Sequence, residues 1–189
     1  MNKSIAITTA LLLLAPLASV ADSGWVTAAP DNAGFSAEFP VAPSPQVQSG
    51  QGFTTSMWLA KSADGNVLVL TGVTDYWADI DTDQELELDQ KNFLSSVGGT
   101  ASSSKRDTYP GTKRKTKLPS VVFDFSTASG WNGRSRVIKD GDTVYQTAVM
   151  WRQGYDGGTA LELFEKTYKL LPRVRPTPPA ATAAPAAGG

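Results

Sequence analysis

The sequence predicts an α+β fold, an α/β/α sandwich in which one antiparallel sheet of about six strands is flanked by two amphipathic helices. Residues 120–152 show three stretches of alternating apolar and polar side chains, separated by short turn signals. This is the pattern of consecutive paired strands. Residues 82–97 and 159–171 instead repeat apolar side chains at helical spacing. Three further strand-like stretches precede the first of these helices.

The first strand is expected at residues 34–40, where Phe35, Ala37 and Phe39 alternate with polar residues and Pro40 stops the pattern. The prolines at positions 43 and 45 predict a stiff connection. Residues 53–60 form the second expected strand. Residues 66–74 form the third, and because apolar residues occupy both of its faces, we expect it inside the sheet.

Two capping boxes predict where the helices begin. Thr82 and Glu85 have the spacing in which each side chain satisfies a backbone donor at a helix start, and Gly98 follows the last apolar residue. Thr159 and Glu162 repeat this spacing at the second helix. Because proline cannot continue a helix, Pro172 is expected to close it.

The meander in residues 120–152 is expected to turn twice. Asn132-Gly133 and Asp140-Gly141 are residue pairs that tolerate the positive φ of tight hairpin turns. The last strand, residues 144–151, carries apolar side chains on both faces. It is therefore predicted to lie in the interior of the sheet.

The two ends of the chain differ in composition from the middle. Met1–Ala21 has Lys3, a leucine-rich apolar run and small residues before Ala21, which is the order of a cleaved signal peptide. We therefore expect export, to the periplasm of a Gram-negative bacterium or to the medium, and no integral membrane segment. Residues 24–171 are expected to form one domain, and the Pro/Ala-rich residues 172–189 a disordered tail.

Charge and composition exclude several functions. The chain has 17 basic and 18 acidic residues, which argues against a nucleic-acid-binding protein. It has no His and no Cys, so Ser-His-Asp and Cys-His catalysis and the usual zinc sites are excluded. No cofactor is expected. The carboxylate pairs Glu162–Glu165 and Asp140–Asp142 lie on one helix or one turn rather than across a cleft, so no catalytic residue is assigned.

Three features of the sequence together resemble a known family. The GFSAEFP of residues 34–40, a mid-chain helix, and GRSRVIKDGDTVYQTAV at residues 133–149 before an amphipathic helix resemble the PsbP-like α/β/α sandwich family. Many members of that family are small exported bacterial proteins. The resemblance implies a non-catalytic binding or accessory role and transfers no active site. The alternative from another class is a hydrolase of unrecognised type that uses carboxylates.

An acidic run occupies every second position from Asp79 to Asp89. A calcium loop of the EF-hand type starting at Asp79 would need Gly and Glu where Gln84 and Gln90 stand, so this motif fails. Acids early in a helix complement its dipole. A second alternative function nevertheless stays open, a cation-dependent assembly subunit that uses segment 75–89. Its candidate ligands are Asp75, Asp79, Asp81 and Asp83.

A basic cluster is the strongest candidate for binding a partner. It comprises Lys113, Arg114, Lys115 and Lys117, and the neighbouring hairpin extends it with Arg134 and Arg136. An acidic envelope protein would suit it, whereas the simpler interpretation is a solvated loop whose lysines protect a strand edge. Trp77 and Trp131 lie at predicted strand ends or turns. They complete the candidate partner-binding residues as surface aromatics.

Overall fold

A computed structural model of the chain describes residues 24–50, 52–77, 81–113 and 115–177. The predicted signal peptide, Asp79, Arg114 and residues 178–189 of the predicted tail lie outside these ranges. The elements in order are β1 (Val26–Ala28), β2 (Phe35–Phe39), β3 (Ser44–Gly50), β4 (Phe53–Lys61), β5 (Val67–Tyr76), α1 (Thr82–Val97), β6 (Gly99–Pro110), β7 (Lys117–Thr127), β8 (Trp131–Asp140), β9 (Thr143–Arg152), α2 (Gly158–Thr167) and β10 (Lys169–Leu170).

The strands form two sheets rather than the single sheet of about six strands that the sequence predicts. The main sheet has seven strands in the order β3-β4-β5-β9-β8-β7-β6, and the second has three in the order β1-β2-β10. All strand pairs are antiparallel. The predicted α+β class with two helices is therefore correct, and the predicted number and arrangement of strands are wrong.

The predicted meander is present as β7, β8 and β9, with one turn in the predicted place. Gly141, with φ 60°, lies in the β8–β9 turn. The other turn is at residues 128–130, and Asn132-Gly133 lies inside β8. Strand β9 is buried along nearly its whole length between β5 and β8, as its apolar faces predict.

The three-stranded sheet and α2 cover one face of the main sheet. Phe35, Ala37 and Phe39 of β2 are buried, which confirms the alternation seen in the sequence. Phe39 meets Phe164 of α2 edge to face, with ring centroids 5.9 Å apart. Leu170 of β10 pairs with Phe35. Strand β2 thus belongs to a layer above the main sheet rather than to the sheet itself.

Helix α1 covers the opposite face, over β6, β7 and β8. Phe93 lies edge to face with Phe123 and Phe125, at centroid distances of 5.9 and 5.2 Å. The helix has the predicted bounds, but its N-cap is Asp81 rather than Thr82. The Asp81 carboxylate accepts hydrogen bonds from the amides of residues 83 and 84, which satisfies donors at the helix start.

Helix α2 is shorter than predicted and lacks the predicted capping box. It begins after Gly157, which makes no side-chain cap hydrogen bond. It ends at Thr167, because residues 169 and 170 pair with β2 as strand β10. The sequence pattern continued to Leu171 because apolar residues facing the same core lie on both the helix and the strand.

Strands β3 and β6, the two outer strands of the main sheet, were not predicted. Most side chains of both are exposed or half-buried. A strand with solvent on most of its surface does not need alternating apolar residues, so its sequence lacks the period of two. Segments that the sequence assigns to a stiff connection and to irregular structure are thus strands.

Candidate functional site

The basic cluster lies at the tip of the hairpin that joins β6 to β7. The amide of Gly111 donates to the carbonyl of Thr116 at 2.9 Å, which closes the turn. The side chains of Lys113, Lys115 and Lys117 are exposed. Within the described ranges, no acidic side chain forms an ion pair with these three lysines. We call residues 111–117 the basic hairpin.

Arg134 and Arg136, predicted to extend the cluster, are engaged in ion pairs on β8. Arg134 Nε lies 2.7 Å from Asp124 Oδ1, and Arg136 Nη1 lies 2.9 Å from Asp107 Oδ2. These hydrogen bonds lower the pKa of both carboxyl groups. The two arginines therefore carry compensated charge, unlike the lysines of the basic hairpin.

These ion pairs lie on the face of β6–β8 that α1 does not cover, at the border of α2. Helix α1 packs on the other face of β6–β8, and α2 packs on β2 and β9. We call this area the open sheet face. It is formed by Lys105, Asp107, Val122, Asp124, Arg134 and Arg136, which the strand registers place on one side of the sheet.

A small cavity separates the open sheet face from α2. It has a volume of about 110 Å³, and its lining includes Arg134, Arg136, Glu165 and Tyr109. The Tyr109 hydroxyl donates to the carbonyl of Tyr168 at 2.7 Å, and the Arg136 guanidinium lies over the Tyr109 ring. Tyr109 precedes the turn of the basic hairpin by two residues. Tyr109 thus connects the cavity to the strand that leads into the basic hairpin.

Trp77 and Trp131 are not bare surface aromatics. The Arg152 guanidinium lies 4.3 Å from the centroid of the Trp131 ring, and that of Arg175 lies 4.8 Å from the Trp77 ring. Both indoles are half-buried. Trp131 begins β8 and therefore lies at the opposite end of the strands from the basic hairpin. Trp77 follows β5, which β9 and β8 separate from β7 in the sheet, so neither tryptophan adjoins the lysines.

Three of the four candidate cation ligands contact protein groups, and the fourth, Asp79, lies outside the described residues. Asp75 is buried, accepts from Thr143 Oγ1 at 2.9 Å, and lies 2.5 Å from Arg173. Asp81 caps α1, and Asp83 lies 3.3 Å from Arg106. In the described part of the chain, no three His, Cys, Asp or Glu residues are grouped so that they could hold a metal ion.

A buried acidic pair under α1 was missed in the sequence. Glu85 and Asp89 face the main sheet, where Tyr76 and Lys139 are also buried. Burial raises the pKa of Asp89 to about 8, and the Glu85 carboxylate adds to the effect, while Tyr76 and Lys139 oppose it. Burial and the same two carboxyl groups raise the pKa of Tyr76. The sequence held one signal for this burial: Glu85, Asp89 and Phe93 are spaced by four residues and therefore lie on one face of the helix.

Residues 172–177 were expected to belong to a disordered tail, but they contact the domain. Arg173 reaches the buried Asp75, and Arg175 lies 2.8 Å from Asp142. The Val174 amide donates to Asn32 Oδ1 at 2.8 Å, and Asn32 Nδ2 donates to the Val174 carbonyl. Polar contacts anchor this segment, so the shortage of large apolar residues gave no signal for it.

Glycine at position 34 makes room for this anchor. A Cβ there would lie 2.5 Å from Arg173 Cδ and 2.8 Å from the Tyr145 hydroxyl, and Gly34 has a φ of 78°. Both the space and the backbone conformation therefore favour glycine. The stem of Arg173 crosses the chain directly above it.

Neither of the two carboxylate pairs considered for catalysis lies across a cleft. Glu162 and Glu165 are exposed on α2, and Asp140 is exposed beside the β8–β9 turn. Asp142 pairs with Arg175. Glu165 borders the small cavity, where its nearest charged group is Arg134 at 3.9 Å. This arrangement does not place two carboxyl groups on opposite sides of a substrate position.

Among the comparisons with known proteins, only the comparison with solved structures finds matches. No protein-family model matches the chain, and no curated protein matches it. Among solved structures, the chain is similar to cyanobacterial PsbP (CyanoP) from Synechocystis, with 8% identity and a TM-score of 0.49, over 83% of this chain and 98% of that one. The PsbP-like resemblance expected from the sequence agrees with this likeness, which shows neither family membership nor function.

A second solved structure is a protein of Bacteroides thetaiotaomicron. It shares 9% identity with this chain, with a TM-score of 0.32, and the match covers 80% of this chain. The chain spans about half the length of that protein. In the described residues, no helix has the length and apolar character needed to cross a bilayer.

Proposed function

We propose that this protein is a non-catalytic, exported accessory domain that binds an acidic protein partner of the cell envelope through the basic hairpin. One observation carries the proposal. Lys113, Lys115 and Lys117 are exposed cations without an ion-pair partner in the described chain, whereas Arg134 and Arg136 on β8 are paired. Unpaired, clustered charge attracts an oppositely charged surface during encounter.

The open sheet face supplies the adjoining contact area. Four of its side chains, Asp107, Asp124, Arg134 and Arg136, are already held in place by ion pairs, so a partner meets ordered polar groups there. The cavity beside Tyr109 offers a recess into which one side chain of the partner fits. Buried anchors in such recesses contribute much of the affinity of interfaces, and surrounding polar groups exclude water. The hairpin thus governs the rate of encounter, and the recess governs the lifetime of the complex.

The test replaces Lys113, Lys115 and Lys117 together by Gln. The matched control replaces Lys91, Lys166 and Lys169 by Gln, which makes the same change in charge at exposed positions elsewhere. Both variants, as full chains, are used to capture partners from the envelope fraction at several salt concentrations. The hairpin variant should lose the acidic partners that the wild type captures, and the control should keep them.

Ionic strength provides an independent readout with the captured partner. Exposed charges are screened over about 10 Å at 0.1 M salt, so association with wild type should slow steeply as salt rises. This dependence should be weaker for the hairpin variant. If that variant captures the same proteins with the same salt dependence, the lysines are solvated charges and the proposal is wrong.

Export is a separate part of the proposal, because it rests on residues 1–21 alone. Cleavage after Ala21 would give a mature chain that begins at Asp22. Intact-mass measurement of the protein from the envelope fraction should give the mass without residues 1–21. Recovery of the full-length chain from the cytoplasm would contradict it.

A further inference from the structure

The two outer edges of the main sheet differ in how they are protected. Strand β6 carries Lys105, Arg106 and Asp107, and its pairing with β7 shifts register between residues 101 and 103. Charges and irregular pairing are features by which proteins prevent another strand from adding to an edge. Strand β3 has the sequence SPQVQSG, without a charged residue, so Pro45 is its protective residue of this kind. Its Val47 is 70% exposed.

Pro45 shows which backbone groups of β3 point outward. Proline has no amide hydrogen, so within a sheet it is tolerated where its backbone nitrogen faces away from the neighbouring strand. Pro45 lies opposite Trp58 of β4 in an uninterrupted register. Because backbone groups alternate in direction along a strand, Val47 and Ser49 also direct their amides away from β4. In the described part of the chain, no strand pairs with this side of β3.

We propose that β3 pairs with β3 of a second copy of this chain, antiparallel, about a twofold axis that passes beside Val47. The Val47 amide of each copy donates to the carbonyl of the partner's Val47. The Ser49 amide of each copy donates to the carbonyl of the partner's Pro45. The pairing lacks two donors, because the Pro45 of each copy has no amide hydrogen. The seven-stranded sheets of the two copies then form one continuous sheet.

A second copy fits this edge because the edge is complementary to itself. Antiparallel pairing about Val47 places each residue of β3 opposite another residue of the same short strand. Like charges placed directly opposite one another destabilise a strand pair, and β3 contains none. The exposed Val47 side chains of the two copies become neighbours and remove apolar surface from water. At β6, the same symmetry would bring Lys105 and Arg106 of the two copies together.

The pairing has a consequence for the basic hairpin, although it does not depend on the proposed function. Strand β6 forms the other edge of each sheet, so the two basic hairpins lie at opposite outer ends of the joined sheet. One dimer can then contact two acidic partners. Two linked sites bind a surface that carries several partners more strongly than one site does.

The experiment measures the mass of the full chain in solution by sedimentation equilibrium, from micromolar to millimolar concentration. A pair of short strands buries less area than a standard stable interface, so dimerisation should appear as the concentration rises. Val47→Pro removes the central outward amide, and Val47→Lys places like charges opposite each other. Each should weaken dimerisation by about tenfold or more.

Two control variants separate strand pairing from other causes. Val47→Thr keeps the amide and the branched side chain, so it should dimerise nearly as wild type does. Val174→Lys adds the same charge at a valine that is 77% exposed and is not part of β3. It should also dimerise as wild type does. Thermal unfolding of each variant checks that the fold is intact.

Either of two results overturns the proposal. One is a wild-type chain that stays at the monomer mass up to millimolar concentration. The other is a folded Val47→Lys variant that dimerises as strongly as wild type, because an interface centred on Val47 cannot accept two opposed lysines. Should Val47→Pro fail to fold, the Val47→Lys and Val174→Lys pair decides the question.

Discussion

The guanidinium of Arg173 lies 2.5 Å from the carboxylate of Asp75, and the two side chains are 9% and 5% exposed. Asp75 lies near the end of β5 and accepts a second hydrogen bond from Thr143 of β9. The pair therefore joins the residues after β10 to the end of β5 in the main sheet. Removal of one partner from a buried pair leaves an uncompensated charge, which is strongly destabilising.

We therefore expect Arg173→Ala to lower the free energy of unfolding by about 3–5 kcal/mol. The matched control is Arg175→Ala, which removes a neighbouring pair whose side chains are 38% and 39% exposed. Exposed pairs contribute about 1 kcal/mol or less. Urea unfolding of both variants measures the difference. Equal losses in the two variants would show that Asp75 finds another partner or water when Arg173 is removed.

Truncation of the C-terminus distinguishes two parts of the predicted tail. A chain that ends at Thr177 keeps the contacts of Arg173, Val174 and Arg175, and should melt close to the full-length temperature. A chain that ends at Leu171 loses all of them and should melt at a clearly lower temperature. Calorimetry measures both. If the two truncated chains melt alike, the contacts of residues 173–175 do not contribute to stability.

Asp89 makes stability depend on pH. Its pKa is raised to about 8 in the folded chain, whereas an aspartate in an unfolded chain titrates near 4. Between these values the folded chain binds more protons than the unfolded chain. The contribution of Asp89 is thus fully present below about pH 4 and is lost as pH rises to about 8, by at most about 1.4 kcal/mol per pH unit.

Asp89→Asn should flatten this dependence, because the amide stays neutral at every pH. Urea unfolding at pH 5, 7 and 9 measures it. The control is Asp83→Asn, an exposed acid on the same helix, which should leave the slope between pH 5 and 8 nearly as in wild type. The interpretation is wrong if wild-type stability does not fall over this range or if Asp89→Asn falls equally.

The start of α1 offers a test that separates capping from cation binding. Asp81→Ala removes the two hydrogen bonds from the amides of residues 83 and 84, and should lower stability by about 1 kcal/mol. Thr82→Ala, at the position predicted from sequence, should have a smaller effect. Millimolar calcium should change the melting temperature of either variant and of wild type little. A large stabilisation by calcium that Asp81→Ala abolishes would instead support the alternative function, a cation-dependent assembly subunit that uses segment 75–89.

The sequence by itself determined the strands and helices that bury one or both of their faces in the core. Alternation at β2, the apolar residues of β5 and β9, and the spacing of Leu86 and Phe93 on α1 follow from burial, which acts through composition at fixed periods. The basic hairpin was also visible, because adjacent charges in a turn need no distant partner to be recognised. These features are local, and the local sequence carries them.

Only the tertiary structure decided what depends on pairing between distant residues. Strands β3 and β6 are held by backbone hydrogen bonds to β4 and β7, which impose no pattern on exposed side chains. Arg134 and Arg136 looked like free cations until β7 and β6 placed Asp124 and Asp107 beside them. Arg173 lies in a Pro-rich stretch that resembles a tail, and 98 residues separate it from Asp75. Short-range periodicity contains no information about partners so far apart, because a single ion pair constrains two positions and leaves those between them free.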